Sequence, residues 1–245
     1  MYFKLGFLVI VFQLMCSCSA GETENKTVVS CYYETYCPDS VKFIVEQLFP
    51  TYVKLNGTHF IPHMLPYGRA NTTVLPNGTV AFQCQHGEKE CYGNKVHACV
   101  LNIFGITFMS RMKFINCSLA KTDLKNPKQY PTDECATLSG INVQDINNCM
   151  RNDTLVNEYL KAYGDETKKY PIPSVPFLIF NGNYDENVSK ESVQNFGSVL
   201  CKKYIHSDND TKAAEFCKSQ NSSATKITLT VLPIIFLSFV FSKLF

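Results

Sequence analysis

The sequence predicts an α/β protein with a helical, disulfide-rich insertion. Three observations carry this expectation. A β-branched and aromatic run is followed at once by Cys37 and an amphipathic stretch. A second apolar run, Phe177-Leu178-Ile179-Phe180, is led in by Pro176. Between them lies a long segment of helical spacing that holds six of the 12 cysteines. The chain has 245 residues, 45% hydrophobic and 18% charged, which suits a folded protein and excludes a disordered one. Its formal charge of +2 gives no electrostatic reason to expect a nucleic acid partner.

Taken in order, residues 28–33 read as a buried strand. The chain then turns through Glu34-Thr35-Tyr36. Val41, Ile44, Val45 and Leu48 form a helix face, and Pro38 suits a first helical turn, which places Cys37 at a helix N-terminus directly after a strand. A second strand begins at Thr58 and runs toward Leu65. Residues 69–79 read as a polar loop, and residues 80–83 as a third short strand. Glu90 to Asn116 is mostly helical with a break at Gly105. Residues 118–140 read as a long loop and residues 143–163 as one or two helices. The strand at 177–180 ends at Asn181-Gly182, a type I′ hairpin signal. Ser189 to Tyr204 closes the order with a helix whose Val193, Phe196, Val199 and Leu200 share a face. This is a thioredoxin-like plan, in which a thiol at the first helix N-terminus faces a loop with a cis-proline. Pro176 is the candidate for that proline.

The ends read as processing segments. Residues 1–20 have Lys4, an apolar core of 11 residues from Leu5 to Met15, and the small-residue site Cys18-Ser19-Ala20, the pattern of a secretory signal peptide. Its removal leaves ten cysteines in an oxidising compartment. Residues 221–245 begin with the small residues Asn221-Ser222-Ser223 and end in an apolar run. They read as a glycosylphosphatidylinositol (GPI) anchor signal or, as the rival, a spanning helix. The folded domain is then residues 21–220, tethered to a membrane and facing outside or into a lumen. Nine N-x-S/T triplets, at Asn25, Asn56, Asn71, Asn77, Asn116, Asn152, Asn187, Asn209 and Asn221, point to a glycosylated surface. The plainer alternative is that several go unused, Asn116 among them, because a disulfide at Cys117 would tie its middle residue.

Cys37 has the features of a reactive thiol. A helix N-terminus brings partial positive charge and free amides to the sulfur, which lowers a thiol pKa, and a loop position should expose it. A structural disulfide is the plainer alternative. In a Cys-x-x-Cys site the second thiol resolves the mixed disulfide. Here Ser40 stands in that position. It cannot form the bond, but its hydroxyl can hydrogen-bond to the Cys37 thiolate. Cys31, inside the first strand, reads as a buried free thiol. Cys84, Cys91, Cys99, Cys117, Cys135, Cys149, Cys201 and Cys217 are the candidates for structural disulfides, with about 105 pairings open.

The run from Cys84 to Cys99 also holds His86 and His97. Cys84, His86, Cys91, His97 and Cys99 could be read as zinc ligands, but the spacing matches no common structural zinc pattern, and a secreted chain favours disulfides. No metal or cofactor is expected. Each histidine reads either as tuning a nearby charge or as a hydrogen-bonded structural group. Glu88, Lys89 and Glu90 read as a solvated helix start.

The same run reads CQHG-x-x-EC-x-x-N-x-x-x-x-C and resembles the signature of the gamma-interferon-inducible lysosomal thiol reductase family, with every fixed position matched. VSCYYETYC (29–37), PYGRA (66–70) and SVPFLIFNG (174–182) look like further landmarks, so the resemblance covers roughly residues 28–217. It implies a thioredoxin-like glycoprotein that reduces protein disulfides at acidic pH, in endosomes, lysosomes or outside cells. It further implies Cys37 as nucleophile, Pro176 as the substrate-side cis-proline and the signature run as a disulfide-bearing structural segment. Ser40 and the anchor-like tail depart from the family pattern. Two functions follow as expectations. One is a thiol-disulfide oxidoreductase that takes disulfide-containing polypeptides as substrates and a small thiol as reductant. The other is a tethered glycoprotein that binds partner polypeptides without turnover.

Overall fold

The computed structural model describes residues 26–125, 129–205 and 210–220. The expected leader and anchor segments, and the sequons at Asn25, Asn209 and Asn221, lie outside the described residues. Among the described residues no helix is long and apolar enough to cross a membrane.

The molecule is a mixed α/β protein built on a three-stranded sheet of order β2-β1-β5. The central strand β1 (Thr27–Tyr33) pairs in parallel with β2 (Phe60–Pro66) and antiparallel with β5 (Phe177–Phe180). A strand covered on both faces reads as a near-continuous apolar run, which is why residues 28–33 lack polar alternation. Val29, Cys31 and Tyr33 contribute to one core with Phe43, Ile44, Phe196 and Leu200. Tyr32 packs into another with Leu65, Phe177 and Ile179.

The crossover from β1 to β2 is helical: α1 (Pro38–Phe43), a π-helical stretch (Ile44–Leu48) and α2 (Phe49–Lys54). Pro50 explains the irregularity. It has no N–H and its ring crowds the carbonyl four residues back, so the helix widens just before it.

The expected polar loop at 69–79 contains a strand. β3 (Asn71–Val74) pairs antiparallel with β4 (Val80–Gln83) in a separate two-stranded sheet. β3 buries little, so its sequence carries no apolar alternation, and pairing with the strand expected at residues 80–83 supplies its order. The helical insertion follows: α3 (Glu88–Asn102), α4 (Phe108–Lys121), α5 (Thr132–Ser139), α6 (Val143–Arg151) and α7 (Asp153–Thr167). The break between α3 and α4 falls at Gly105, as expected, at a φ of 81°. The expected loop at 118–140 is corrected, since α4 runs on to Lys121 and α5 occupies its second half. The Cys117–Cys135 bond and burial of Cys135 and Ala136 against Val96, Val100 and Phe114 hold α5 in place. Gly140, at φ 67°, ends it.

Asn181 and Gly182 both have positive φ, 52° and 73°, the dihedral signature of a type I′ turn. The turn leads to one isolated bridge, Phe180 to Asn183, rather than a further strand. The Asp185 side chain then caps α8 (Glu186–Lys203) by accepting from the N–H groups of Asn187 and Val188. α8 is kinked at Asn195, and Gln47 fills the break. Gln47 Oε1 accepts from Phe196 N–H at 3.0 Å, and Gln47 Nε2 donates to Val193 O at 2.6 Å. The buried backbone groups freed by the kink are thereby satisfied.

Among the described residues four disulfides staple the fold: Cys84–Cys91, Cys99–Cys149, Cys117–Cys135 and Cys201–Cys217. All eight candidate cysteines are used. The Cys99–Cys149 bond spans 50 residues and ties α3 to α6. By loop-closure entropy it constrains the unfolded chain by about 4 kcal/mol, against about 2 kcal/mol for the short Cys84–Cys91 loop.

Candidate active site

Cys31 and Cys37 are the two free cysteines among the described residues. They occupy different settings. Cys31 is fully buried in β1, and burial pushes its thiol pKa far up. Cys37 is the N-cap residue of α1, with an extended backbone (φ −75°, ψ 119°). Its thiol donates to Val175 O at 3.6 Å. The Val175–Pro176 peptide bond is cis. The antiparallel pairing of β1 with β5, in which Tyr32 faces Phe177, explains this meeting. The residues just before β5 must lie beside the turn that leaves β1.

Cys37 is less open than the sequence suggests. Its exposure is 8%, because Val175 and the Leu65–Phe177 cluster cover it. A cavity of about 660 Å³ lies next to it, between α1 and the 173–177 segment, with Val175 and Pro176 in its wall. Asp39, Lys42, Glu46, Pro173, Lys190 and Gln194 are among its lining residues. Its walls thus mix charges of both signs with proline surface.

Ser40 has no exposure, and its Oγ accepts from Glu34 N–H at 3.4 Å. The expected bond from this hydroxyl to Cys37 is not among those formed by the described residues. One turn of helix brings Ser40 back under the 34–36 turn, where an amide needs an acceptor.

That turn is held by residues of the Cys84–Cys99 run. Asn94 Oδ1 accepts from Thr35 N–H at 3.0 Å and from Thr35 Oγ1 at 2.9 Å. Thr35 Oγ1 also lies 3.3 Å from Glu90 O. Gly93 is required where α3 meets this turn, since a Cβ there would stand 2.5 Å from Thr35 Oγ1. The signature run is therefore a clamp on the approach to Cys37 as well as a carrier of disulfides.

Glu90 is not a solvated helix start. It is fully buried, and its carboxylate accepts from His86 N–H at 3.2 Å and pairs with His86 Nδ1 at 2.5 Å. Glu34 is also fully buried. Its Oε1 accepts from Arg69 N–H at 2.7 Å, and its Oε2 lies 3.5 Å from His86 Nδ1. Burial raises the Glu34 pKa to about 7. The Glu90 carboxylate adds to this, while the Arg69 amide and His86 oppose it.

The five-residue zinc reading does not survive. Cys84 and Cys91 are bonded to each other and Cys99 to Cys149, and the two histidines serve separate clusters. His97 is fully buried. It shares hydrogen bonds with Tyr33 Oη at 2.8 Å, Ser118 Oγ at 2.8 Å and Tyr130 Oη at 2.7 Å. Burial lowers its pKa to about 3, so it is a neutral structural group.

Of the described sequons, Asn56, Asn71, Asn77, Asn152 and Asn187 are exposed. Asn116 is half-buried in α4 beside the Cys117–Cys135 bond, and its Oδ1 is buried without a hydrogen bond. Sequence reasoning misses Glu34, Thr35, Asn94 and Val175 as parts of the site. The signature pattern does fix Asn94; nothing local points to the backbone carbonyl of Val175.

These features define a disulfide-stapled α/β protein with one sheltered free thiol at a strand-to-helix turn, set against a cis-proline loop. The family model described as gamma interferon inducible lysosomal thiol reductase matches residues 28–139. The chain is 37% identical over 213 residues to a gamma-interferon-inducible lysosomal thiol reductase-like protein of Anopheles gambiae, covering 82% of this chain and 85% of that one. It is 32% identical to GILT-like protein 1 of Drosophila melanogaster, over 91% and 90% of the two chains. It is 28% identical to the gamma-interferon-inducible lysosomal thiol reductase of Carassius auratus, over 74% and 69%. The chain belongs to the gamma interferon inducible lysosomal thiol reductase family.

Proposed function

We propose that this protein is a thiol-disulfide oxidoreductase of thioredoxin-like design that acts on protein disulfides with Cys37 as its nucleophile. The relatives' names support a thiol reductase role. The single observation that carries the residue assignment is the meeting of the Cys37 thiol with the Val175 carbonyl beside cis-Pro176. The Cys37 thiolate attacks one sulfur of a substrate disulfide. A mixed disulfide forms, and the other substrate sulfur leaves as a thiolate that takes a proton. Ser40 carries no thiol, so resolution falls to an external small thiol. A first small thiolate attacks the Cys37 sulfur and releases the second substrate thiol. A second small thiolate attacks the small-thiol sulfur now bonded to Cys37, which frees Cys37 and yields the oxidised small thiol. One disulfide is reduced and two small thiols are oxidised.

The expected setting is the lumen of the secretory or endolysosomal pathway or the cell exterior, with glycans on the exposed sequons and attachment through the C-terminal segment. The buried Ser40 favours a second reading, in which the mixed disulfide or a non-covalent complex persists and the protein acts as a polypeptide-binding module. Turnover of a disulfide-containing polypeptide with excess small thiol, at pH 4.5 and 7, decides between them. Catalysis by the wild type that Cys37→Ala abolishes supports the enzyme. Absence of turnover together with retention of the polypeptide by the wild type supports the binding module, and retention by Cys37→Ala as well identifies the complex as non-covalent.

A further inference from the structure

We propose that Glu34, His86 and Glu90 form a binding site for one divalent cation of the zinc class. One ligand atom from each of these three residues lies within 4.8 Å of the others. Glu34 and Glu90 are fully buried, while the His86 side chain is 39% exposed. His86 Nδ1 has one proton to give, and Glu90 Oε2 at 2.5 Å takes it. Glu34 Oε2 faces the same nitrogen at 3.5 Å yet accepts no hydrogen bond among the described residues. A buried carboxyl oxygen left without a hydrogen-bond partner is unfavourable, and the two acidic side chains share a single imidazole nitrogen. A cation in place of the shared proton would meet all three groups at once.

The geometry fits zinc. Zinc–ligand bonds of about 2.0–2.2 Å place tetrahedral ligand atoms about 3.3–3.5 Å apart, and Glu34 Oε2 and His86 Nδ1 already stand 3.5 Å apart. Glu90 Oε2 needs to move only away from Nδ1 once the proton is gone. One imidazole nitrogen with two carboxylates suits zinc, whereas calcium and magnesium prefer oxygen alone. The half-exposed His86 side leaves a fourth position to water.

The surroundings hold these groups in advance, as outer contacts do at metal centres. Arg69 N–H fixes Glu34 Oε1 and His86 N–H fixes Glu90 Oε1. The Cys84–Cys91 disulfide closes the loop that carries His86 and Glu90. Gly68 leaves room for Glu34, since a Cβ there would collide with its Cγ. Glu34 begins the turn that ends at Cys37, so a bound ion would brace that turn at its start.

Zinc chloride titrated calorimetrically into chelator-treated protein at pH 7 tests the site independently of any redox activity. The wild type and Cys37→Ala should each take up one equivalent, which separates this site from the free thiol. His86→Gln and Glu34→Gln should each weaken binding by about tenfold or more. Zinc should raise the Tm of the wild type and leave that of His86→Gln unmoved. The metal-free Tm of His86→Gln reports whether that variant folds, and its partly exposed side chain favours that it does. Absence of stoichiometric uptake by the wild type overturns the proposal. Uptake unchanged in a folded His86→Gln overturns it equally.

Discussion

The Cys37 thiol donates to the Val175 carbonyl at 3.6 Å, across 138 residues of sequence. The bond gives the sulfur a neutral partner while nothing replaces it with a covalent one. Removing the proton would lose this bond and leave the thiolate near a carbonyl oxygen, so the reactive form is better accommodated when the 174–176 segment shifts or a substrate strand takes up that carbonyl. Under the proposed function, substrate engagement would be coupled to thiol activation through this one backbone group.

The two free thiols should differ sharply toward alkylation. Cys37 has 8% exposure beside an open cavity, whereas Cys31 has none and its thiol is strongly disfavoured from ionising. Iodoacetamide on the native protein, read by peptide mass spectrometry, should modify Cys37 and spare Cys31 until denaturant is added. Equal labelling of both would remove the distinction on which the nucleophile assignment rests.

Ser40→Cys should increase turnover, most strongly at low small-thiol concentration, because an internal thiol would then resolve the mixed disulfide. The replacement gives up the bond that Ser40 Oγ accepts from Glu34 N–H, so a stability loss of about 1 kcal/mol is expected alongside. Reductase assays over a range of thiol concentrations read the rate. Intact mass under non-reducing conditions reads the new disulfide between Cys37 and the introduced thiol. An unchanged rate with that disulfide formed would place the limiting step elsewhere.

Asn94 holds the turn before Cys37 without reaching the thiol itself. Asn94→Ala leaves the Thr35 N–H buried without its acceptor and should cost about 1–3 kcal/mol of stability. It should also lower the rate of Cys37 alkylation or turnover more than a comparable substitution in α6 would. Chemical denaturation and the alkylation rate, measured on one preparation, separate the two effects.

How far the site can be read from the sequence follows from the range of each interaction. Cys37 after a strand, and Pro176 before another, are local patterns, and strand pairing brings them together. Val175 acts through its backbone, which no residue type announces. Helix spacing allows Ser40 to face the thiol, yet one helix turn sets it beneath Glu34 N–H instead. Glu90 reads as solvated because its neighbours are charged; its partners Glu34 and His86 come from the far end of β1 and the disulfide loop. β3 escapes the sequence for a related reason, since an exposed strand carries little apolar signal, whereas its partner at residues 80–83 is read as a strand.

His97 sets an acid limit on stability. Its folded pKa, lowered to about 3 by burial, lies below the unfolded value of 6.5. The folded state therefore keeps the ring neutral while the unfolded chain takes up a proton as pH falls below 6.5. Stability should be unaffected by this group above pH 6.5 and should fall by about 1.4 kcal/mol per pH unit between 6.5 and 3. Its hydrogen-bond and ring-contact partners among the described residues, Tyr33, Phe114, Ser118 and Tyr130, offer no carboxylate to hold an imidazolium. His97→Gln should lower stability at pH 7, because the bonds to two buried tyrosines and Ser118 are disturbed, yet flatten the acid slope by the same 1.4 kcal/mol or so per unit. Urea unfolding at a series of pH values on both proteins measures this difference. Parallel slopes would mean that other groups govern the acid sensitivity and that the buried ring takes up its proton without loss of the fold.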